Sequence, residues 1–121
     1  MGTYSKIILS GSTDGEGISI SGSAPTLGPI IHTAVTGAAD SIDEIWAYAW
    51  NSVTTAVELT VMLGVTTATQ SRFTQTITAD DKKGLVLVVP GLVARNAKVM
   101  KMHVTADNTV HVFGYVNRYA S

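Results

Sequence analysis

The chain contains no cysteine, which excludes a disulfide framework and any thiolate metal site and leaves the redox compartment open. Charge is also scarce. Asp, Glu, Lys and Arg make up 14% of the 121 residues, against roughly 25% in an average soluble domain. Much of the polar surface therefore falls to Thr and Ser. Interface cores are depleted in charge, so a deficit of this kind points to surface destined for contact. The net charge of −1 supplies no field for nucleic acid or for an anionic membrane. Long apolar runs are missing too. No stretch approaches the roughly 18 residues of a membrane helix, and "MGTYSKIILSGSTDGEG" turns polar too early for a signal peptide.

Catalytic signatures are equally absent. There is no G-x-S-x-G, no H-E-x-x-H and no Cys/His pairing. "GSTDGEG" has the glycine count of a phosphate loop, but lacks its Lys-Ser/Thr ending and the helix that must follow. It also lacks the Asp spacing of a calcium loop and reads as a turn. Asp43 and Glu44 are adjacent on an extended segment, so they point to opposite faces and cannot work as an acid–base pair. Asp80-Asp81 runs into Lys82-Lys83, the pattern of a solvated turn. The histidines are His32, His103 and His111. A hairpin turn at Asp107-Asn108 pairs Val104 with His111 and His103 with Val112, which puts the last two imidazoles on opposite faces; a one-residue slip of register would reverse this. The expectation is a protein that is not an enzyme and uses no metal or cofactor.

What is present is patterned hydrophobicity. Apolar residues make up 45% of the chain, in short alternating runs divided by turn residues. "SKIILS", "GISISG", "IIHTAV", "IDEIWAYAWN", "AVELTVMLG", "RFTQTI", "LVLVVP", "KVMKMHVT" and "VHVFGYVNR" read as strands. "VTTATQSR" and "TADDKKG" read as loops, and Pro90-Gly91 as a strand end. "LVARNAKVMKM" also fits a helix, and its second half is read as strand. The sum is one all-β domain over residues 1–121, an antiparallel β-sandwich, jelly-roll-like, with about eight or nine strands.

Two strands break the apolar-in, polar-out rule. "LVLVV" is apolar on both faces, and so is the stretch from Ile45 to Trp50. A sandwich this small has no third layer, so another copy or another protein is expected to cover the outer face. Trp46, Tyr48 and Trp50 share one side of their strand, with Ala47 and Ala49 on the other. At about 150–250 Å² per ring, the row is core wall, subunit seam or sugar-stacking platform. Glu44 and Asn51 flank it, as a sugar site requires, though sparsely. The ending "GYVNRYAS" adds Tyr115, Arg118 and Tyr119, residue types enriched at interface hot spots.

The phrases "KIILSGSTDGEGISI", "IHTAVTGAADSIDEIWAYAWN", "GLVLVVPGL" and "VFGYVNRY", spread from Lys6 to Tyr119, together resemble small structural proteins of tailed bacteriophages. These are decoration or cement proteins that add to the outside of the capsid. The resemblance implies a jelly-roll-like domain that self-associates as a dimer or trimer. It would bind the major capsid protein on the outer surface of the virion, after synthesis in the host cytoplasm. The family transfers no catalytic or cofactor residue. The interface residues Trp46, Tyr48, Trp50, Tyr115, Arg118 and Tyr119 come from the sequence pattern. The alternative function is a glycan-binding module, or a head-fibre or tail component that grips host sugars through the aromatic row.

Overall fold

Alternation of apolar and polar residues has become nine strands in a computed structural model, which describes residues 2–24, 28–37, 40–64, 71–78 and 84–121. They are β1 (Thr3–Ile8), β2 (Ile18–Ser19), β3 (Ile30–Thr33), β4 (Ile42–Asn51), β5 (Val57–Leu63), β6 (Arg72–Ile77), β7 (Val86–Ala94), β8 (Val99–Val104) and β9 (Val110–Ala120). The expected loops at 65–70 and 79–83 lie outside the described residues.

Two antiparallel sheets face each other. One runs β1-β9-β4-β7 with β2 also on β9, and the other runs β3-β8-β5-β6. The pairs β2·β9, β3·β8, β4·β7 and β5·β6 nest inside one another, as in a single long hairpin whose tip lies between β5 and β6. Rolling that hairpin up adds the pairs β9·β4 and β8·β5. This is jelly-roll connectivity, and the sandwich class read from the sequence is correct.

Two local expectations fail. The hairpin at Asp107-Asn108 does not exist, because β8 and β9 belong to different sheets. Both strands have an apolar face turned to the same core, Met100, Met102 and Val104 from one side and Val110, Val112 and Val116 from the other. Alternation shows that a strand buries one face, but not which strand it pairs with. The turn carries the chain across the sandwich, held by Asn108 N–H to Ile20 O and by Gly22 N–H to the Asp107 carboxylate. Pro90-Gly91 also fails to end its strand. β7 continues to Ala94 by skipping residues against β4 at two bulges, one of them at Gly91 with φ +79°. The helical reading of 92–102 is excluded by Asn96 and Ala97, both left-handed at φ +57°.

The core is aliphatic. Ile, Val, Leu, Met and Ala fill it, with no Phe, Tyr or Trp among the buried residues. Small residues of one sheet, Ala47 and Ala49, share this core with large ones of the other, such as Leu59, Met100 and Met102. At Gly114 a Cβ would collide with the β4 backbone, and Leu9 fills the space beside it.

Candidate functional site

The burial of β4 alternates without a break: Asp43, Ile45, Ala47, Ala49 and Asn51 are buried, and the residues between them are half-buried. The strand thus turns its methyl groups inward and its rings outward. The polar ends of the inner face hold this register. Asn51 donates to Thr55 O and Ile77 O and accepts from Val53 N–H. At the other end, Asp43 is gripped by Arg118 through Nε at 2.7 Å and Nη2 at 2.8 Å, and by His32 Nε2 at 2.7 Å. A slip of one residue would expose both clusters and bury the rings.

Outward residues of the neighbouring strands extend the aromatic row into a face. Tyr119, Tyr115, Phe113 and His111 of β9 lie opposite Ile42, Trp46, Tyr48 and Trp50. Tyr4 of β1 lies opposite Tyr119, and Leu87 and Pro90 of β7 lie opposite Tyr48 and Trp46. The chain has two Trp, four Tyr and two Phe, and all but Phe73 sit on this face. Phe73 lies at the open edge between the sheets, where it helps to line a cavity of about 220 Å³ with Val61, Leu63 and Leu92.

The rings lie against the sheet and one another. Trp46 covers Gly91, Phe113 covers Gly17 and Tyr119 covers Gly2. Trp46 and Tyr115 are nearly parallel at 11°, with centroids 6.4 Å apart. Trp50 meets His111 at 5.6 Å, and His111 bonds Ser19 Oγ and Ser52 Oγ. A polar row crosses the face between Tyr4 and Tyr115. It consists of Lys6, Asn117 and Glu44, successive partners on β1, β9 and β4. Glu44 Oε1 accepts from the Trp46 indole N–H at 2.7 Å and from Asn117 Nδ2 at 3.1 Å. These bonds hold the Glu44 carboxyl below its ordinary value. Lys6 Nζ stands 4.6 Å above the Tyr115 ring.

The other sheet differs. Its outer side carries Glu58, Thr60, Thr74, Thr76, Lys101 and His103, with Thr60 and Thr74 joined through their hydroxyls at 3.0 Å. Apolar residues on this side are few among the described residues: Met62, which is buried, Val99, and Ile30 of β3, which lies opposite Lys101 and is exposed.

Of the residues singled out from the sequence, Trp46, Tyr48, Trp50, Tyr115 and Tyr119 come together on the aromatic face. Arg118 does not. It points to the opposite side of its strand, and its guanidinium is committed to Asp43. Sequence reasoning missed Tyr4, Lys6, Phe113 and Asn117 as members of the face. Strand parity alone groups Phe113 and Asn117 with Tyr115, but the pairing of β1 with β9 joins residues more than a hundred positions apart and leaves no local signal.

The Asp43 cluster has a superficial likeness to a catalytic triad, because His32 lies between Asp43 and Ser10. The ring nitrogen that would face a nucleophile, Nδ1, accepts the backbone N–H of Ser10 at 3.0 Å. The Ser10 hydroxyl is turned to Thr33 N–H. His32 and Asp43 are fully buried, and the cluster ties the two sheets together. His103 and His111 sit on the outer sides of different sheets, and no group of metal-ligating side chains occurs among the described residues. Comparisons with protein families, with curated proteins and with solved structures find no match to this chain.

Proposed function

We propose that the chain is a non-enzymatic structural protein that decorates and stabilises the outside of a tailed-phage capsid, binding major capsid subunits through its aromatic face. The observation that carries this reading is the placement of the rings. A chain that builds its core from aliphatic residues and sets nearly all its aromatics on the outside of one sheet has its heaviest contact groups where a partner can reach them. The outer side of the opposite sheet is mostly polar, with Ile30 its exposed apolar residue, so the aromatic side is the better suited to contact. The β7 half of the aromatic face is the more apolar: Leu87 and Val93 there are 41% and 53% exposed. Assembly as a dimer or trimer at a symmetry axis belongs to the same reading. Jelly rolls recur in viral capsid domains, an analogy of fold that supports the reading without carrying it.

A protein of this kind acts by binding the intact shell better than the broken one, which stabilises the intact state by linkage. Repetition over the shell multiplies a modest gain at each contact. Co-sedimentation with undecorated capsids tests the reading. The expected result is saturation at a fixed number of copies per capsid subunit, abolished by Leu87→Glu with no change in the unfolding midpoint. Absence of binding to intact shells overturns it.

A further inference from the structure

The corner of the aromatic face at β1 differs from the rest. Tyr4, Ser5, Lys6, Glu44 and Asn117 line an open depression of about 480 Å³. Its polar atoms are arranged and only partly used. Glu44 takes both its hydrogen bonds on Oε1, and Oε2 accepts none among the described residues. Asn117 spends its amide N–H on Glu44 and leaves its carbonyl oxygen open. Lys6 forms no ion pair with any described carboxylate, although Glu44 lies only two strands away across Asn117. The wall of the depression is Tyr4, whose side chain is 81% exposed and is steadied by Tyr119 at 4.8 Å between ring centroids.

We propose that this corner is a carbohydrate-binding site, in which a pyranose stacks on Tyr4 while Glu44, Asn117 and Lys6 take its hydroxyls. A pyranose offers one apolar face of C–H groups and a rim of hydroxyls that both donate and accept. The corner matches this with one bare ring, two open acceptors and one open donor group. Charge narrows the class. An anion on Lys6 would lie beside the Glu44 carboxylate, and a cation on Glu44 beside the Lys6 ammonium, whereas a neutral polyhydroxyl ligand meets no like charge. Glu44 is held by two donors before any ligand arrives, so little ordering cost falls on binding. The corner shares the aromatic face with the capsid reading, but sugar binding is tested at Tyr4 and Glu44 and capsid binding at Leu87 of β7, so each can fail alone.

The test is a titration of the isolated chain with the methyl pyranosides of glucose, galactose, mannose and N-acetylglucosamine, followed by amide and indole N–H NMR signals. The expected result is saturable movement of the Trp46 indole and Asn117 side-chain signals with at least one sugar. Tyr4→Ala and Glu44→Gln should each weaken it by about tenfold or more, since hydrogen bonds to charged groups and ring contacts are of that order. Tyr4 is exposed, and Glu44→Gln keeps an acceptor oxygen for Trp46 and Asn117, so the variants keep the parent's spectrum away from the corner. No saturable movement with any of these sugars overturns the proposal, as does movement that both variants leave unchanged. If capsid protein moves the same signals and no sugar does, the corner is a protein contact and the carbohydrate reading is wrong.

Discussion

Asp43 shows how much one inward charge can decide. Burial favours its neutral form, but the hydrogen bonds and charges of Arg118 and His32 outweigh that and leave the carboxyl below its ordinary 3.8. The Arg118 guanidinium is correspondingly raised by the same contact. Removing one partner of a buried pair costs about 3–5 kcal/mol, because the other is left uncompensated. Asp43→Ala is therefore expected to lower unfolding stability by that order in urea titration. Arg118→Lys should also destabilise, since an ammonium cannot reproduce the two-pronged contact. If Arg118→Lys leaves stability unchanged, the grip on Asp43 contributes little.

At the scale of elements, β4 and β7 carry the unusual features. β4 turns its rings outward and packs Ile45, Ala47 and Ala49 into a core that holds no aromatic side chain among the buried residues. β7 is an edge strand with exposed leucine and valine, the kind that invites pairing with another chain. Pro90 removes one donor from it, and the bulges twist it against regular pairing. Gly91 sits at φ +79° directly under the Trp46 ring, where a Cβ would be 3.0 Å from the indole. Gly91→Ala should cost about 1–3 kcal/mol through backbone strain and change the Trp46 environment. Thermal unfolding together with the tryptophan emission spectrum checks both effects.

For the whole molecule, pH and topology make the predictions. His103 is held below its ordinary 6.5 by burial and by Arg72. The unfolded chain therefore binds that proton more readily, and stability falls as pH drops below 6.5. Asp43 acts in the same direction lower down: its contribution is whole above 3.8 and is lost as pH falls through the lower folded value. Urea midpoints across this range should decline in two steps, and His103→Gln should remove the upper one alone. Topology sets the folding rate. β1 pairs with β9 from Thr3 to Ala120, the two ends of the chain, so refolding followed by Trp46 and Trp50 fluorescence is expected on the millisecond-to-second scale. Microsecond refolding would mean that native pairing is not what limits the rate.

The strand content of this chain is local information. β4 and β6 coincide with the runs read from the sequence, because side-chain alternation has a period of two wherever one face is buried. The turn at Asp14-Gly15 is equally legible, since both residues adopt the positive φ that Asp and Gly tolerate there. Two facts follow from composition and parity alone: the separation of Asp43 from Glu44, and the grouping of Trp46, Tyr48 and Trp50 on one face. Which face is inside was not decided there. Tertiary structure decided it, by giving Asp43 and Asn51 buried partners drawn from other elements and by closing an aliphatic core over Ile45, Ala47 and Ala49. The same holds for β8 and β9, which look like a hairpin and lie in opposite layers, and for Arg118, whose partner is 75 residues away. Periodicity reports that a surface is covered; what covers it depends on contacts between distant segments, and those form only when the sandwich closes.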